Sequence, residues 1–156
     1  MTVYKVTLFG HRDLYTYKKT ERRLYAILQE LIRRRLYIEF LLGRNGDFDT
    51  LAASLIKQVQ NEMGKENVTM TLVLPYIYKD VEAWEHYYDH IMIPETVERT
   101  HPKGAISKRN EWMIDQCDLV ICCVEKKSGG AYAAVEYARK IGKKIINLAM
   151  DKDFDE

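Results

Sequence analysis

Short apolar runs rich in β-branched residues alternate with longer amphipathic stretches along nearly the whole chain, and this alternation constrains the fold more than any other feature. Continuous apolar runs bounded by turn residues read as buried strands; apolar residues at i, i+3, i+4 and i+7 read as helices. Strands and helices in alternation make a parallel sheet covered by helices. The strand-like runs are residues 3–9, 37–42, 68–74, 119–124 and 144–148. Residues 19–35 place Leu24, Ile27, Leu28, Leu31 and Ile32 at helical spacing, as a crossover helix requires. Asp49 and Thr50 can cap a second helix over 51–63, which Gly64 ends. Residues 80–90 read as a shorter helix, 106–116 as another, and 131–141 as the last, closed by Gly142. The spacing therefore predicts one α/β domain over residues 1–156. Its sheet of about five parallel strands is covered by helices on both faces, with the first strand near the middle. Residues 91–104 are the one long stretch without periodicity, the kind of connection that often lies over a site.

Composition narrows the function classes. The 156 residues are 47% hydrophobic and carry 24 Lys+Arg against 23 Asp+Glu, a formal charge of +1. A domain of this size buries its own core. The near-neutral balance argues against general polyanion binding, and so against nucleic acid or an anionic membrane as partner. No apolar run approaches the roughly 20 residues of a membrane span, and the N-terminus enters a strand-like stretch directly, so a cytoplasmic protein is expected. Cys117, Cys122 and Cys123 sit in or beside one apolar run, as reduced core thiols do; no metal site and no cofactor are expected.

In open α/β sheets the ligand crevice lies outside the carboxyl ends of the strands. After the first run come Gly10, His11 and Arg12; after the second, Gly43, Arg44, Asn45, Gly46, Asp47, Phe48 and Asp49. Pro75, Tyr76 and Tyr78 follow the third, and Lys126, Lys127, Ser128, Gly129 and Gly130 the fourth. Gly129-Gly130 opens a helix, where free backbone N–H groups and the helix dipole favour an anion and glycine lets a phosphate approach. Glu136 follows about two turns into that helix, on a side that can face the crevice. Arg109-Asn110 opens the preceding helix, in which Trp112 and Met113 look like core.

These motifs carry a resemblance. The stretch KRNEWMIDQCDLVICCVEKKSGGAYAAVEYA resembles the C-terminal half of the SLOG superfamily, which includes the lonely-guy nucleotide phosphoribohydrolases and Smf-type DNA-processing proteins. Arg109, Met113, Gly129, Gly130 and Glu136 match the RKxxM and PGGxGTxxE segments of the lonely-guy enzymes. The whole chain is more similar still to a bacterial and phage branch of that superfamily. The branch is marked by Phe9-Gly10-His11-Arg12, the loop Gly43-Arg44-Asn45-Gly46-Asp47-Phe48-Asp49, Pro94-Glu95, Arg109-Asn110-Glu111-Trp112-Met113 and Gly129-Gly130-Ala131. The resemblance implies a Rossmann-like fold and a homodimer. Tyr132-Ala133 stands where the enzymes have Gly-Thr, and Ser128 replaces a proline, so Arg12, Arg44, Lys127 or His11 would supply further anion contacts.

Three functions follow as expectations. The first is a sensor or sequestering protein for a nucleotide-derived signal, such as an ADP-ribose derivative or a cyclic nucleotide. Its ligand would be held by Gly10, His11, Arg12, Gly43, Arg44, Asn45, Gly46, Asp49, Tyr76, Arg109, Asn110, Ser128, Gly129, Gly130, Ala131 and Glu136, with Tyr76, Tyr78, Trp84, Tyr87 and Tyr88 available to stack on a base. The second is a nucleotide N-glycosidase in which Glu136 and Arg109 stabilise an oxocarbenium-like state. The third is a protein-interaction regulator with a vestigial site. The aromatic stretch 80–90, read as a helix, also argues for a homo-oligomer.

Overall fold

The computed structural model describes residues 2–64 and 66–150. Six strands form one parallel sheet: β1 (Tyr4–Gly10), β2 (Ile38–Leu42), β3 (Val68–Val73), β4 (His90–Met92), β5 (Leu119–Cys123) and β6 (Lys144–Asn147), in the order β4-β3-β2-β1-β5-β6. The alternation of the strands decides which side each residue feeds. Val6, Leu8, Phe40, Leu42, Ile121 and Cys123 face a core closed by α1 (Tyr17–Arg34) and α2 (Asp47–Met63). Phe9, Val120 and Cys122 face the opposite layer, where α4 (Pro102–Gln116) and α5 (Gly130–Lys140) supply Ile114, Ala134, Val135 and Ala138. The result is a three-layer, Rossmann-like α/β fold with β1 inside the sheet, as the periodicity predicts.

The chain order runs outward from β1 in both directions, so the sheet reverses between β1 and β5. That switch point is where an open parallel sheet leaves a crevice at its carboxyl edge.

The structure corrects several details of the expected elements. The sheet has six strands rather than about five, because 80–90 is not a helix: only Val81–Trp84 makes a short 3-10 turn. Asp89 then takes hold of β3, its N–H donating to the Met70 carbonyl at 2.9 Å and its carboxylate accepting the Met70 N–H at 2.7 Å, which carries the chain into β4. The aperiodic stretch 91–104 contains the end of β4, the short helix α3 (Glu95–Glu98) and the start of α4. Helix α4 begins at Pro102, earlier than the apolar pattern implies. His101 Nδ1 accepts the Lys103 N–H at 3.2 Å and Pro102 occupies the first helical position, where its missing N–H costs nothing. Helix α2 likewise starts at Asp47 behind Gly46, not behind Asp49 and Thr50, and it ends at Gly64 in the left-handed conformation with φ 63°. All three cysteines are buried free thiols, and burial lifts Cys117 to about 11. Among the described residues no helix is long and apolar enough to cross a membrane.

Candidate functional site

The loops at the switch point are laced to one another by polar groups. The His11 N–H donates to the Cys123 carbonyl at 3.3 Å, and its Nε2 accepts the N–H groups of Glu125 and Lys126 at 3.2 and 3.0 Å. His11 thus ties the end of β1 to the loop that carries Gly129 and Gly130. Both bonds need an unprotonated Nε2. Burial, with Lys126 adding to it, holds the imidazole pKa below its ordinary value. Nε2 of His11 thus serves as an acceptor for backbone N–H groups, where the sequence suggested a further anion contact.

The second lace joins β1 to β2. The Asp47 N–H donates to the Arg12 carbonyl at 2.8 Å and its carboxylate accepts the Leu14 N–H at 3.2 Å. Gly46 is required there because a Cβ on it would stand 2.6 Å from the Arg12 Cα and 2.7 Å from its carbonyl oxygen. Asp47 was not among the expected site residues, although an acid in the first turn of a helix beside a glycine is the available signal.

Within this frame lies a crevice of about 300 Å³ lined by Phe9, Gly10, His11, Arg12, Asn45, Asp49, Ile106, Arg109, Asn110 and Gly129 to Ala131. Ten of the sixteen expected residues meet there, from four separate segments. Arg109 is its most constrained member. It sits in the middle of α4 rather than at the helix start, and it is 2% exposed. Its Nη1 donates to the Val73 carbonyl at 2.9 Å and its Nε to Asn110 Oδ1 at 2.9 Å, which engages two of the five guanidinium donors. Gly43 makes room for it: a Cβ there would stand 2.8 Å from Nη1. Asp49 is buried as well, its carboxylate accepting the Asn45 N–H at 2.7 Å. Burial raises the Asp49 pKa, opposed by the Asn45 hydrogen bond and the charges of Arg109 and Arg44.

On the far side, Gly129 takes φ 92°, a value that L side chains rarely adopt, and a Cβ on Gly129 or Gly130 would meet nothing within 4 Å. Gly129, Gly130 and Ala131 line the crevice at the start of α5, and the first N–H groups of a helix, which have no intrahelical partners, suit an anion. Lys126 and Lys127 are exposed on the loop before it.

The remaining expected residues do not line the crevice. Glu136, expected as a catalytic partner of Arg109, pairs with Arg139 on the partly exposed face of α5 and is not among the residues that line the crevice. Gly43 and Gly46 act from behind, by making room. Ser128 lies exposed on the loop, and Arg44 and Tyr76 lie with the aromatic residues after β3. Phe9 and Ile106 were missed; Ile106 stands one helical turn before Arg109, a spacing that identifies it once α4 is extended back to Pro102.

The fold is shared with solved DNA-processing proteins. DNA processing protein A from Streptococcus pneumoniae superimposes with a TM-score of 0.65 over 91% of this chain and 49% of that one, at 18% identity. DNA processing protein A from Helicobacter pylori, whose structure concerns its single-stranded DNA binding mode, gives 0.61 over 91% and 63%, at 21% identity. The chain thus spans less than two thirds of the length of either. No protein-family model matches the chain, and no curated protein matches it. The Rossmann-like α/β fold expected from the sequence is thus present. Two expectations fall with these neighbours. Sensing of a nucleotide-derived signal is set aside, and so is the exclusion of nucleic acid from net charge, since a chain with this fold is described by its single-stranded DNA binding. The physical error is plain: a sum over 156 residues does not describe one crevice in which Arg12 and Arg109 converge.

Proposed function

We propose that this domain binds the sugar-phosphate backbone of single-stranded DNA in the crevice between the ends of β1, β2 and β5, without turning it over. The observation that carries the reading is the pairing of an unobstructed glycine helix start at Gly129-Gly130 with the buried guanidinium of Arg109 across one cleft. Both elements suit a phosphate, and Arg12 adds a second cation. The carboxylates argue against hydrolysis: Asp49 is held by Asn45 and buried, and Glu136 is engaged by Arg139. The single-stranded DNA binding described for the Helicobacter pylori neighbour supports the choice of ligand. Membership of the bacterial and phage SLOG branch belongs to the same proposal and rests on the motifs of the sequence.

The test is fluorescence anisotropy with a labelled oligothymidylate across a salt series. If Arg12 and Arg109 each neutralise one phosphate, log K falls with log salt at a slope of about −1.4, from about 0.7 per phosphate on a single strand. Gly130→Asp places a carboxylate at the anion position and should abolish binding. Retention of full affinity by Gly130→Asp would overturn the site.

A further inference from the structure

The loop between β2 and α2 serves two recesses. Asn45 lines the crevice; the residue before it, Arg44, lines a second recess of about 230 Å³ with Thr50, Ala53, Trp84, Tyr87 and Tyr88. The Arg44 guanidinium carbon stands 4.6 Å above the Trp84 ring centroid, and its Nη1 donates to Tyr88 Oη at 3.5 Å. Lys57 Nζ stands 4.8 Å above the Tyr87 ring. Tyr88 is 4% exposed and forms the buried wall, whereas Trp84 and Tyr87 are only partly covered.

We propose that this recess takes one nucleobase of a single strand whose backbone runs through the crevice; this rests on the reading given under Proposed function and deepens it. Four observations favour a base over other occupants. The rings meet edge to face rather than in a stack, Tyr87 on Tyr88 at 76° and Tyr78 on Trp84 at 64°, and a cation already uses one π face of each partly covered ring, Arg44 on Trp84 and Lys57 on Tyr87. No carboxylate lines the recess and two cations border it, which suits an anionic strand. Its volume falls below the about 300–1,000 Å³ of pockets that enclose whole drug-sized ligands, so it fits one planar ring system rather than a complete nucleotide. Finally, adjacent residues of one loop, Arg44 and Asn45, line the recess and the crevice, so the two share a wall segment of the β2–α2 loop. Stacking on Trp84 or Tyr87 is tolerant of base identity because every base has a π face, and Arg44 contributes both a stacking plane and donors for a base carbonyl.

The experiment separates base from backbone. The chain has two tryptophans, so Trp112→Phe leaves Trp84 as the only indole reporter. Oligothymidylate should quench it, and an abasic oligomer of the same length should not. Trp84→Ala should weaken oligothymidylate binding about tenfold or more while leaving abasic binding unchanged, and Trp84→Phe should retain most of the affinity. Equal binding of the two oligomers, no quenching and no effect of Trp84→Ala would overturn the base recess while the backbone reading stands. An equal loss on both oligomers, not rescued by phenylalanine, would overturn it as well, because the ring would then act only as a support for the loop. Failure of the wild-type chain to bind either oligomer overturns both readings.

Discussion

Two arginines with acidic neighbours stand on adjacent helices, one at the crevice and one away from it, and they differ in every respect that matters to a site. Arg139 reaches Glu136 one turn away on α5, both side chains in contact with water, at 61% and 44% exposure. Arg109 is buried in α4, held by the Val73 carbonyl and Asn110, and it feels the charge of the buried Asp49 from another element. A water-exposed pair within one helix is screened and contributes little, so it can be lost without consequence. A buried guanidinium persists only where the surrounding fold supplies acceptors and space, and here β3, α2 and Gly43 all do so. The comparison locates the site: the side of the crevice built by long-range contacts is preorganised for a ligand, and the locally satisfied pair is surface.

The largest test of this contrast is Arg109→Ala, which leaves the buried Asp49 carboxylate with Arg44 as its remaining nearby cation and removes the donor to the Val73 carbonyl. A loss of about 3–5 kcal/mol in unfolding free energy by urea titration is expected. Gly43→Ala comes next. Its Cβ would press on the Arg109 guanidinium at 2.8 Å, costing about 1–3 kcal/mol and lowering affinity for oligothymidylate by displacing the fork. A Gly43→Ala protein as stable and as tightly binding as the wild type would show that Arg109 is free to move.

His11 provides a pH-dependent test. Its folded-state pKa lies below its unfolded value, so the stabilisation it brings is fully present above the ordinary histidine range and is lost as pH falls through the lower folded-state value. Acidification should shift the amide NMR signals of Glu125 and Lys126 together as Nε2 takes up a proton and ceases to accept from them. The same titration on His11→Ala should show no such step. Arg139→Ala should have the smallest effect, within about 1 kcal/mol by urea titration and with affinity unchanged.

The same contrast explains what the sequence revealed. The alternation of strands and amphipathic helices placed five of the six strands, because buried β-branched runs such as Leu119–Cys123 leave a local signal. Strand β4 left none: His90–Met92 is three residues long and is drawn onto the sheet by Asp89, a tertiary contact. Glycine loops were legible for a related reason, since Gly129 and Gly46 meet backbone requirements that other residues fail. The roles of side chains were less so. Glu136 looked like a site residue from its helical position, yet Arg139 three residues later was the local partner that takes it. Arg109 looked like a residue near the start of its helix, because the true start of α4 depends on His101 and Pro102, outside the apolar pattern. His11 looked like a further anion contact, and only the fold shows two backbone N–H groups converging on its Nε2.

The most direct test of the account follows backbone amide signals while unlabelled oligothymidylate is added to isotopically labelled protein. Shifts are expected to concentrate at Gly10 to Arg12, Asn45, Asn110 and Gly129 to Ala131, the residues that line the crevice. Shifts concentrated instead around Val3, Tyr37, Asn67 and Thr69, which line a recess away from the crevice, or no shifts at saturating oligomer, would contradict it.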